Sequence, residues 1–153
     1  MEEEEYKATY NELASIRCVF EKALTNQQAK CRLSRHFCLA DREGYSCENK
    51  ESSVKCSKIL EKLRENSRFS LKLHEISGPL PHNMEIRVQA GGVMGLAKLV
   101  DINAADQSKQ PVVDDINRIL NEAQNKYGLL RNLPYSEIIQ SVVQFQGRRR
   151  RQR

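Results

Sequence analysis

Apolar side chains recur every three or four positions along most of the chain, the spacing that lines one face of an α-helix. The first stripe, Tyr6, Tyr10, Leu13, Ile16, Phe20 and Leu24, predicts one helix from Tyr6 to roughly Gln28. Glu2, Glu3, Glu4 and Glu5 stand at its N-terminal end, where the helix macrodipole favours negative charge. Residues 29–51 lose the periodicity. They hold Gly44 and the acid–base run Asp41, Arg42, Glu43, and read as a mostly irregular segment with a short helical turn.

A second long helix follows, with Ser52 or Ser53 as its cap and Cys56, Ile59, Leu60, Leu63, Ser67 and Leu71 on one face. It is expected to end near Leu73, before the turn formers Gly78, Pro79 and Pro81. Residues 84–101 carry two patterns. Met84, Ile86 and Val88 alternate as in a strand, whereas Val93, Leu96, Leu99 and Val100 return to helical spacing. A helix whose Gly91 and Gly95 form a small face for close packing is preferred to an edge strand. Two more helices are expected. One starts at Pro111, with Val112, Ile116, Ile119, Leu120, Ala123 and Tyr127 as its stripe and Gly128 as its cap. The last opens at Asn132 or Pro134 and runs to about Gln146.

The pattern therefore predicts an all-α or mainly α fold. It would be a single domain over residues 1–147 of four to five helices, with an irregular cysteine-bearing segment (29–56) between the first two long helices. No repeat or extended heptad is discernible, and no apolar run is long enough to span a bilayer.

Charge changes this picture at one end. The chain has 25 Lys+Arg and 20 Asp+Glu, a formal net charge of +5. Five of those bases are Arg148, Arg149, Arg150, Arg151 and Arg153, so without residues 148–153 the chain has twenty bases and twenty acids. Those last residues read as a disordered arginine tail able to contact nucleic acid or an acidic protein partner. Within the body, residues 30–75 hold eleven bases and seven acids, between flanks that are slightly acidic.

The acidic start MEEEEYKATY lacks the basic and apolar regions of a secretory signal, which predicts a cytoplasmic protein. In that compartment thiols stay reduced, so five cysteines point to a metal, a cluster or redox work rather than to structural disulfides. Cys31, Cys38, Cys47 and Cys56 form the set C-x6-C-x8-C-x8-C, and four thiolates are the ligands of tetrahedral zinc and of iron–sulfur clusters. Lys30, Arg32 and Arg35 flank Cys31, where cations would stabilise a thiolate. On one straight helix a nine-residue step would hold successive ligands roughly 13 Å from each other, so the gaps must fold back. The spacing has neither the C-x2–4-C knuckles of structural zinc nor the C-x2-C runs of ferredoxin-type clusters; an iron–sulfur cluster is preferred to Zn because cluster proteins tolerate long uneven gaps more readily. Cys18, inside the first predicted helix, reads as a packing residue. His36 is an alternative ligand.

Two other readings of the thiols stay open: a redox pair, and small side chains that simply pack. Glycines 91, 92 and 95 match neither a P-loop nor a dinucleotide fingerprint. No catalytic triad, carboxylate pair or H-E-x-x-H anchors an enzyme, so a non-enzymatic role is preferred to a catalytic one. The expectation is a small metal- or iron–sulfur-binding accessory or redox protein. The alternative is a cofactor-free interaction protein that works through its basic tail.

Overall fold

The computed structural model describes residues 2–13, 16–71, 80–100 and 113–145. Among them are six α-helices and a two-stranded hairpin, in the order α1 (Glu3–Leu13), α2 (Glu21–Thr25), β1 (Ser34–Leu39), β2 (Arg42–Cys47), α3 (Lys50–Ser70), α4 (His82–Val100), α5 (Ile116–Tyr127) and α6 (Tyr135–Gln144). The fold is mainly helical, as its periodicity predicts. No helix among the described residues is long and apolar enough to cross a membrane.

The core lies where α4 packs against α6, α5 and α3. Val88, Val93, Leu96, Ile119, Ile138 and Val142 are buried there. The ambiguous stretch 84–101 is helical, and its glycines give the reason. A Cβ on Gly91 would stand 2.6 Å from Val142 Cα, and one on Gly95 would stand 2.7 Å from the Ile138 carbonyl oxygen. Both are backbone contacts, so α4 and α6 approach this closely only because both positions lack a side chain. Gly92 faces α3, where a Cβ would stand 2.6 Å from Leu63 Cδ1, a side-chain atom rather than backbone.

Two elements near the N-terminus differ from expectation. The helix predicted from Tyr6 to Gln28 is two helices, α1 and the five-residue α2. Between them the backbone pairs with β2: the Cys47 amide donates to the Ile16 carbonyl at 2.8 Å, and the Cys18 amide to the Tyr45 carbonyl at 3.0 Å. Backbone groups already used in this pairing cannot also serve a helix. The apolar spacing still puts Phe20, Ala23 and Leu24 in the core. The segment expected to be irregular contains the hairpin, whose register sets Ser34 opposite Cys47, Phe37 opposite Gly44 and Cys38 opposite Glu43. Its turn residues Ala40 and Asp41 have φ of 50° and 65°. Two successive positive φ angles are what a two-residue hairpin turn of the favoured hand requires. Phe37 and the Tyr10 ring cover Gly44, leaving no room there for a side chain.

Helix caps shift by a few residues. Asn49, rather than Ser52 or Ser53, caps α3, its side chain accepting from the Ser52 amide at 3.0 Å. Asp115 caps α5, while Pro111 and Val112 lie outside the described residues. Gly128, with φ of 85°, ends α5 as expected.

Candidate metal centre

Four cysteines line one small cavity: Cys18, Cys31, Cys47 and Cys56, together with the apolar Val19, Phe20, Leu33 and Ile116 and with three serines and Asn117. Each comes from a different segment. Cys18 sits on the extended stretch that pairs with β2. Cys31 lies in the connector after α2, where the Ser34 amide and hydroxyl both donate to its carbonyl, at 3.1 and 2.7 Å. Cys47 ends β2, and Cys56 lies in the second turn of α3. All five cysteines of the chain are free thiols.

Three of the four residues expected from spacing are thus brought together, and Cys38 is not. It lies opposite Glu43, four residues along β2 from Cys47, a distance of about 13 Å at strand rise. Cys38 is exposed at the turn end of the hairpin, and Cys18 takes the fourth place instead. The set is therefore C-x12-C-x15-C-x8-C. Cys18 was hidden by the helix predicted across it, although its position off that helix's apolar stripe was a signal. His36 also stands apart, half-exposed on β1 against the Tyr45 ring and 3.7 Å from Glu43. The arginines 148–151 and 153 lie outside the described residues.

The flanking cations do not act as their sequence positions suggest. Arg32 pairs with Asp115 at 3.7 Å, and Arg35 pairs with Glu48. Burial dominates the thiols. It pushes Cys18 up to about 12, against the Phe20 backbone N–H that faces the thiol. Cys56 is likewise pushed up to about 12, by burial first and then by the nearness of Cys18, Cys31 and Cys47. Burial also raises Cys31, opposed by the backbone N–H groups of Leu33 and Asn117. Burial thus moves Cys18, Cys31 and Cys56 away from the thiolate form that nucleophilic redox chemistry uses. A cation among them would invert that preference, since metal binding displaces the protons of its thiol ligands.

Spacing within the group bears on which cation. In a tetrahedral zinc site the Zn–S bonds of about 2.3 Å bring the sulfurs within about 4 Å of one another around the ion. Here the thiols surround a cavity of about 20 Å³, against the roughly 10–15 Å³ that one buried water needs. Among the described residues no three His, Cys, Asp or Glu side chains are drawn close enough to share one ion. The hollow is little larger than a single water, and its size does not favour a cluster over an ion. Two of the thiols, Cys18 and Cys31, face the amide two residues on, and hydrogen bonds to sulfur tune iron–sulfur clusters.

No family model, curated protein or solved structure matches this chain.

Proposed function

We propose that this chain is an iron–sulfur protein whose cluster is held by Cys18, Cys31, Cys47 and Cys56. The observation that supports the reading is the convergence of four thiols, from four separate segments, on one small hollow. A cluster would supply one-electron chemistry, and the chain would supply a mostly apolar shell with amide donors to the sulfurs. The role proposed for it is accessory: electron transfer, redox sensing or delivery to a protein partner. Free thiols in this number belong in a reducing compartment, which supports a cytoplasmic setting.

Anaerobic purification followed by visible absorption and assay of iron, sulfide and zinc per chain tests the reading. Brown protein with iron and sulfide, lost in Cys18→Ser but kept in Cys38→Ser, is the expected result. One zinc per chain with no colour would replace the cluster by an ion. Metal-free protein as stable as its four-serine variant would remove the centre altogether.

A further inference from the structure

A second cavity, a cleft of about 390 Å³, opens on the other side of Cys18, between the start of α2 and the faces of α3 and α4. Its volume is in the range of small-molecule sites. Leu60 and Val19 give it apolar surface, and three cations line it: Arg17, Lys22 and Arg64.

Two carboxylates, Glu21 and Glu85, also reach this cleft, but both are consumed. Glu85 is 1% exposed and accepts from Arg64 Nε and Nη2 at 3.1 and 2.5 Å, from Gln89 Nε2 at 3.0 Å and from the Leu80 amide at 3.1 Å. Glu21 accepts from the Tyr10 hydroxyl, from Arg17 Nε at 2.5 Å and from the Tyr45 amide at 3.2 Å. The cations are not consumed to the same degree. Among the described residues, Nη1 of Arg64 and both terminal nitrogens of Arg17 have no hydrogen-bond partner, although the Arg17 guanidinium lies over the Tyr10 ring at 4.8 Å, and Lys22 shares one contact, at 2.8 Å, with His82 Nδ1. Buried carboxylates thus fix two guanidinium groups by one edge and leave the other edge available. That arrangement suits a ligand bearing oxyanions, which guanidinium groups bind through paired donors.

We propose that this cleft binds a small anionic molecule bearing carboxylate or phosphate groups. The site does not depend on what the four thiols hold, although Cys18 forms one portion of its wall.

Calorimetric titration of the full chain with inorganic phosphate and with citrate, at constant ionic strength, tests it. Saturable binding of at least one probe, one per chain, is expected, and which probe binds tells the two oxyanion classes apart. Lys22→Gln should weaken it about tenfold, the effect of one charge-assisted hydrogen bond. Ser57→Glu, which places a negative charge on the cleft wall, should abolish it. Lys50→Gln, outside the cleft, should leave it unchanged. Circular dichroism and metal content of the same samples separate loss of the site from loss of the fold or of the centre. No saturable binding of either probe, or binding indifferent to both Lys22→Gln and Ser57→Glu in folded protein, overturns the proposal.

Discussion

The helical bundle and the cysteine end are held by different physics. In the bundle, α4 lies against α6 over glycines, and nearly every inward side chain is an aliphatic with no exposed surface. At the cysteine end, a two-residue turn closes a short hairpin whose helical neighbour is the five-residue α2. A two-stranded hairpin is marginal in water on its own. What fastens it is the Ile16–Cys18 backbone pairing, the Glu21 network and the Tyr10 ring against Phe37. The bundle carries its own stability, whereas the other end needs a clasp, and the four cysteines sit at the point where one would act.

The largest expected effect breaks that clasp. Cys18→Ser should abolish cluster binding and speed amide hydrogen exchange through residues 16–47, with little change in α4 and α6. Cys38→Ser should do neither. Equal exchange in both variants would show that the hairpin needs no clasp. Next comes the buried ion pair between α3 and α4. Glu85→Ala strips Arg64 of its partner and leaves the Leu80 amide and Gln89 unsatisfied, so it should cost about 3–5 kcal/mol in urea unfolding, as for a broken buried pair.

Within the bundle, Gly95→Ala drives a Cβ into the α6 backbone and should cost about 2 kcal/mol despite the better helix propensity of alanine. Stabilisation instead would mean that α4 and α6 are free to separate. Tyr10→Phe removes the hydroxyl that donates to Glu21 and should cost about 1.5 kcal/mol, read as earlier loss of α1 by exchange.

The smallest effect is a dependence on pH. Burial pushes the Glu85 carboxyl up, but hydrogen bonds from Arg64, Gln89 and the Leu80 amide outweigh it and hold it below the usual carboxylate range. A lowered native pKa means that its stabilisation is complete above the unfolded value of about 4.3 and is lost as pH falls through the native one. Acid unfolding should therefore be steeper in the parent than in Glu85→Gln. Identical acid profiles would show that this carboxylate contributes nothing to acid stability.

The sequence by itself determined the helical class, the apolar faces of α3 to α6 and the small-residue contact of α4, because each is written in local periodicity. It also singled out Cys31, Cys47 and Cys56. Only the tertiary structure decided that Ile16–Cys18 leaves the helix its spacing predicts, and that Cys18 rather than Cys38 joins the other three. The reason lies in the hairpin. Strand pairing sends Cys38 about 13 Å up the ladder from Cys47 while its other edge draws the backbone at Cys18 alongside. Distance along the chain says nothing of that register. Nor did local charge foretell the chemistry of the thiols, since Arg32 and Arg35 turn to their own carboxylates and burial governs the sulfurs.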